Sequence, residues 1–134
     1  LVGACLTIRR SAWEEVGPLD EGFFMYSEEL DWCYRAKGHG WQIVYYPRAR
    51  VVHHEGKSSE QVLPLRHIHF QRSKLRFFRK HHGRWRAGLL RWYLLLNYGY
   101  QLLVEGLKGI LGHKRALRQQ RVAAYWSVLR SGLK

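Results

Sequence analysis

The hydrophobic positions of this chain fall into two regimes. Up to about residue 60 they come as short, dense runs broken by Gly and Pro; from about Gln61 they recur at helical spacing among basic side chains. The first regime predicts strands, turns and short helices, the second amphipathic helices. Val2 to Ile8 predicts a strand, Ser11 caps a short helix through Val16, and Gly17-Pro18 stops it. After a turn over Pro18 to Gly22, Glu28 to Lys37 suits a helix with Leu30, Cys33 and Tyr34 on one side, ended by Gly38 and Gly40. Trp41 to Tyr46 and Ala49 to His53 are β-branched or aromatic, and their continuous apolar character predicts strands of a sheet covered by helices.

In the second regime, residues 66–86 interleave basic groups with Ile68, Phe70, Leu75, Phe77, Phe78 and Trp85. Such a mixture suits an RNA surface or a lipid interface. No helix-turn-helix, zinc or RNP-type signature accompanies it, and the lipid interface also accounts for the next segment of the chain. Trp92 to Val104 is a run of thirteen uncharged residues, roughly 20 Å as a helix against a hydrocarbon core of roughly 30 Å. It is too short to cross. Trp92, Tyr93, Tyr98 and Tyr100 favour the headgroup region, so residues 89–111 are expected to lie in a membrane interface. A tilted or re-entrant insertion, a helix packed on the rest of the protein and a dimer contact are the alternatives. His113 to Lys134 predicts a last amphipathic helix, folded back on its predecessor.

Charge sharpens this division. The chain has 23 Lys and Arg against 10 acids, a net charge of +13, yet eight of the acids lie in the first 55 residues and only Glu105 follows Glu60. The second part therefore points to an anionic partner, nucleic acid or an acidic membrane surface. Cys5 and Cys33 are expected to be buried thiols in a reducing compartment.

Three of the acids, Glu28, Glu29 and Asp31, fall within four positions beside Phe23-Phe24-Met25-Tyr26, Trp32 and Cys33. Carboxylates rimmed by apolar groups keep their charge only if something pairs with it. Such a set can take a proton, hold a metal or accept bonds from a sugar hydroxyl, and Arg35, four residues beyond Asp31, can orient one of them. The plainer alternative is a helix start, with Ser27 as N-cap and Glu28 and Glu29 at the positive end of the dipole.

Residues 3–59, GACLTIRRSAWEEVGPLDEGFFMYSEELDWCYRAKGHGWQIVYYPRARVVHHEGKSS, resemble the second half of the catalytic domain of family 2 inverting glycosyltransferases, especially the rhamnosyltransferase-like branch. The resemblance implies an α/β fold: residues 1–60 as the C-terminal half of a GT-A (Rossmann-like) domain, with acceptor side and base, and residues 61–134 as a basic, helical, membrane-interface tail. It implies that Glu29 is the general base, at a position where the family usually has Asp, with Glu28 or Asp31 able to share the task. It makes His53 a ligand of a divalent metal, Mg or Mn, otherwise held by the first half of the family's domain; a hydrogen-bonded loop end is the alternative for His53 and His54. Gly3, Ala4, Arg35, Lys57 and Ser58 become candidates for substrate contact. The family's Asp-x-Asp metal motif is absent from these 134 residues, so the resemblance implies the C-terminal piece of a longer enzyme, silent alone.

The implied reaction moves a sugar, rhamnose by resemblance, from a nucleotide-sugar donor to a glycan or lipid-linked acceptor with inversion, at the cytoplasmic face of a membrane. Nucleic acid is not an expected partner, because a polyanion-binding surface would be weakened by the acidic cluster. The contrasting reading is a non-catalytic basic module that binds membrane or nucleic acid.

Overall fold

The computed structural model describes residues 5–53, 63–110 and 115–134. Among them are four helices: α1 (Arg10–Val16), α2 (Glu28–Gly38), α3 (Leu63–Ile110) and α4 (Arg115–Ser131). The described residues contain no strand, so the expected α/β arrangement is not borne out among them. Residues 5–9 and 41–44 nevertheless show a two-residue alternation, with Leu6, Ile8, Trp41 and Ile43 turned onto the helices, where continuous apolar burial was expected of 41–46. What they lack is a ladder. An extended segment becomes a strand only when its N–H and C=O groups meet a neighbour, and Val44, Tyr45 and Val52 stay exposed.

The first packing unit is small. Gly17 ends α1 with φ 83°, its N–H bonded to Trp13 O at 2.9 Å. Ala12 and Val16 of α1 meet Trp32, Cys33 and Ala36 of α2, whose buried stripe excludes the half-exposed Leu30 and Tyr34 expected there. Arg35 fastens the two helices: it donates to Val16 O at 2.6 Å and Pro18 O at 2.7 Å, placing a cation on the orphan carbonyls at the end of α1. Trp32 Nε1 adds a bond to Gly17 O at 2.8 Å. Cys33 is buried, whereas Cys5 is exposed, contrary to expectation.

The second unit is a helical hairpin made from one long helix. Gly83, at φ 87° and ψ 166°, breaks α3, and Gln71 and His67 before the break reach Tyr98 after it, both at 3.1 Å. The arms 63–82 and 84–110 therefore lie along each other, and α4 folds back on them as its sequence predicts. Ile68, Leu75, Leu94, Tyr98, Val128 and Leu133 form their common core. Glu105 bonds Arg118 at 2.7 Å and draws in Arg121 at 3.6 Å, tying the second arm to α4. Opposite that core runs an unpartnered stripe at helical spacing, Trp85, Leu89, Trp92, Leu96, Tyr100, Leu103, Leu107 and Ile110, each 63–89% exposed. No helix among the described residues is long and apolar enough to cross a membrane.

A charged hub joins the two units. Asp31 is 0% exposed, and its carboxylate accepts from Arg35 Nε at 2.9 Å and Lys80 Nζ at 2.9 Å, with His81 Nε2 at 2.7 Å. Lys80 also bonds Asp20 at 2.7 Å, and Arg76 meets the same acid at 3.1 Å. Burial alone would raise the Asp31 carboxyl, but the bonds from Lys80, His81 and Arg35 outweigh it and hold the group below its ordinary value. For Asp20 the bond from Lys80 dominates burial, and Gly22 N–H and Arg76 lower it further. Aromatic edges complete the joint: Tyr34 on Phe77 at 5.4 Å and Tyr26 on Phe70 at 5.7 Å.

This architecture ties stability to pH and to the bend. Lowered carboxyl values make Asp20 and Asp31 stabilising above the unfolded value of about 4, with the contribution lost as pH falls through the folded values. Urea midpoints should thus hold from pH 5 to 7 and drop below about pH 4, while Asp31→Ala, which strands buried cations, should cost about 3–5 kcal/mol at pH 7. A wild-type midpoint in that variant would show that the hub holds nothing together. Gly83→Ala, which forces a side chain into mirror-image backbone, should cost about 1–3 kcal/mol by the same denaturation; an undisturbed midpoint would show that the bend tolerates L residues.

Candidate functional site

The acids expected to do chemistry sit at the start of α2, where the backbone is strained. Tyr26 and Ser27 both take φ 69°, a left-handed conformation that non-glycine residues seldom adopt and that gathers at functional sites. Ser27 occupies the N-cap position, and its carbonyl accepts from Asp31 N at 2.9 Å, but its side chain makes no cap bond. The turn is held from outside instead. Ser73, buried on the first arm of α3, donates to Met25 O at 2.6 Å, and Phe70 braces Tyr26.

The three acids are treated differently by this frame. Asp31 is enclosed by Arg35, Lys80 and His81 and acts as the joint between α2 and α3. Glu28 and Glu29 are only half-buried, and each keeps one carboxylate oxygen, Oε2, shielded from solvent with no hydrogen-bond partner. A shielded carboxylate oxygen without a donor is a costly arrangement unless a hydroxyl or a proton arrives. In the first turn of α2 both also sit at the positive end of its dipole. Arg35 orients Asp31 as its i+4 spacing predicts, and the bonds that join it to Asp31, Val16 and Pro18 turn its guanidinium inward.

Other expected site residues are dispersed. His53 is exposed at the end of the extended segment, and the described residues gather no group of three His, Cys, Asp or Glu able to hold a metal. They do not amount to a metal site. Gly3, Ala4, His54, Lys57 and Ser58 lie outside the described residues. Ser73, Lys80 and His81, which position the acidic turn, were not singled out from the sequence, and Phe70 was read only as part of the basic, aromatic face. Their partners lie 44 to 50 residues away in the chain, and nothing local announces the pairing.

Cavities lie away from the acids. One of 760 Å³ opens at the bend of α3 and is lined by Arg72, Arg76, Arg79, Arg84 and Arg91. A second, of 650 Å³, lies between the second arm and α4, and a third, of 530 Å³, between the extended segments and α1–α2. None of these three is lined by Glu28, Glu29 or Asp31.

Comparison with known proteins places the acidic turn in a family. The chain is 42% identical over 96 residues to the N-acetylglucosaminyl-diphospho-decaprenol L-rhamnosyltransferase of Mycobacterium tuberculosis, a match covering 70% of this chain and 31% of that protein. A shorter stretch of 35 residues is 51% identical to a low-salt glycan biosynthesis hexosyltransferase of Haloferax volcanii, covering 26% of this chain and 11% of that one. The chain thus spans about a third of the first relative's length and less of the second's. No solved structure was found to match it. The model of a family described as glycosyl transferase family group 2 matches residues 1–134, helical tail included. With that match along its whole length, the chain belongs to glycosyl transferase family group 2.

Proposed function

We propose that this chain forms the acceptor side of an inverting sugar transferase, with Glu29 as the general base and Glu28 beside it. The observation that carries this reading is the pair of shielded, unpartnered carboxylate oxygens just after a strained turn, while the neighbouring Asp31 is saturated by Arg35, Lys80 and His81. In the reaction, Glu29 takes the proton of an acceptor hydroxyl as its oxygen bonds to the anomeric carbon. The bond from that carbon to the donor's diphosphate breaks, and the nucleoside diphosphate leaves with the electron pair. Single displacement inverts the centre. In this reading residues 1–60 carry the base within the family's GT-A domain and residues 61–134 serve as its interfacial tail. A divalent cation on the donor diphosphate belongs to the same reading, with His53 the one ligand offered among the described residues.

The substrates are proposed from the relatives. A nucleotide-sugar donor, with rhamnose as the sugar, and a diphosphate-linked lipid acceptor carrying an amino sugar fit the name of the mycobacterial protein. The exposed stripe from Trp85 to Ile110 supports an anionic membrane surface as partner, on its cytoplasmic face. Aromatic and aliphatic side chains there are flanked by Arg84, Arg86 and Lys108, each basic group worth about 1 kcal/mol near anionic lipid. The helix would lie in the interface plane rather than span it.

Two measurements test this reading. In the enzyme that carries this chain, Glu29→Gln should lower sugar transfer by at least about 10²-fold with donor binding retained; unchanged turnover would take the base away from Glu29. The 134-residue chain should float with vesicles containing phosphatidylglycerol and less with neutral vesicles, and Leu96→Glu with Leu103→Glu should abolish flotation. Absence of flotation from wild type with both lipids would leave the stripe to a protein contact.

A further inference from the structure

The bend at Gly83 creates a feature that neither the proposed base nor the interfacial stripe uses. The 760 Å³ cavity there is of a size that takes a small-molecule ligand. Five arginines line it and no acid does: Arg72, Arg76 and Arg79 from the first arm, Arg84 and Arg91 from the second. Arg76 shares Asp20, and Arg91 Nε donates to Gly132 O at 2.7 Å. Arg72, Arg79 and Arg84 make no ion pair with any described residue. Elsewhere in the molecule Asp20, Asp31 and Glu105 each have at least one cation in contact, so these three arginines are a local surplus.

Guanidinium groups converging on one concavity suit a compact anion with several acceptor oxygens, and a phosphate accepts from them in paired fashion. One phosphate does not need so many. A diphosphate, with two linked anionic centres, uses a row of arginines better. The cavity is also more apolar than polar, with the buried Leu75, Ala87 and Leu133 in its lining. Arg84, Gly88 and Arg91 stand next in sequence to Trp85, Leu89 and Trp92 of the exposed stripe, so an apolar chain attached to the anion has a surface to follow. Its other wall is Gly22 and Phe24, the loop that leads to Glu28 and Glu29, and lining Ser73 holds that loop through Met25 O.

We propose that this cavity binds the diphosphate of a prenyl-diphosphate-linked acceptor, with the prenyl chain running onto the stripe beyond Trp85. This deepens, and rests on, the lipid-linked acceptor reading above. The sugar attached to the diphosphate then starts beside the loop that leads to the base. Recognition is by charge and by lipid together, so neither a free anion nor a headgroup alone satisfies the site.

Calorimetry on the 134-residue chain tests this with geranyl diphosphate and inorganic pyrophosphate as probes, alongside flotation on phosphatidylglycerol vesicles. Two variants disable the cavity without touching the core: Arg79→Ala with Arg84→Ala, whose side chains are exposed, and Gly88→Glu. A Cβ at Gly88 meets nothing within 4 Å, so the glutamate fits a helix position while offering the arginines an internal anion. The expected result is one geranyl diphosphate per chain, at least about tenfold tighter than pyrophosphate and at least about tenfold weaker in either variant, with thermal melting unchanged. Absence of binding, or equal binding by the variants, overturns the proposal. Pyrophosphate binding as tightly assigns the cavity to a free phosphoanion, and variants that lose only flotation assign it to headgroups; either overturns it too. Glu29→Gln separates this from the transfer reading, because the variant chain should bind geranyl diphosphate like wild type whether or not Glu29 is the base.

Discussion

One buried carboxylate governs how the parts of this molecule sit together. Asp31 has no solvent exposure and three hydrogen-bonding basic neighbours, one from its own helix and two from the first arm of α3. Removing a charge from water is expensive, and the arrangement is favourable only because Arg35, Lys80 and His81 satisfy it together. The apolar contribution at the same joint is modest, with Phe23 and Phe77 its buried large side chains. Direction and register therefore come from charge. If Asp31 fixes how α2 meets α3, it also fixes where Glu28 and Glu29 point, since all three share the first turn of one helix.

The same logic distributes the chain's excess positive charge. Asp20 and Asp31 draw Arg76, Lys80 and His81 to the joint, and Glu105 draws Arg118 and Arg121 to the base of α4. Arginines left over on the concave side of the bend lie in a cavity without acids, where low-dielectric walls focus their field. A net charge of +13 read from the sequence does not say where the charge lies. Its spatial sorting by a handful of acids leaves an arginine-lined cavity on one side and an exposed apolar stripe on the other.

Local signals were legible in the sequence and distant ones were not. Gly17-Pro18 ended α1, Gly38 closed α2, and the i+4 spacing of Asp31 and Arg35 announced their bond. The amphipathic pattern of residues 115–131 correctly implied a helix folded on its predecessor. Gly83, inside a basic run between His82 and Arg84, carries no mark of a reversal, because a glycine within a helical pattern is as readily tolerated as it is a hinge. The strands failed for a related reason: Leu6, Ile8, Trp41 and Ile43 alternate as a strand would, but alternation specifies which face is buried and not whether a ladder neighbour exists. At the candidate site the acids were readable as a cluster. Which acid would be saturated was not, since Lys80 and His81 lie 49 and 50 residues from Asp31.

These long-range bonds also bear on the extent of the family match. The motifs that announce a sugar transferase in the sequence end at residue 59, yet the family model runs to residue 134. A tail that merely anchored an enzyme would need its hydrophobic stripe and its basic charge, and no fixed relation to the acids. Here the tail supplies two of the three basic side chains on Asp31, the hydroxyl of Ser73 on Met25 O and the ring of Phe70 against Tyr26. The strained turn at Tyr26 and Ser27 is therefore shaped by residues from the helical part, and strain of this kind persists only where its surroundings hold it. Acidic turn and helical tail form one mechanical unit, and the tail positions the acids whatever surface its outer face meets.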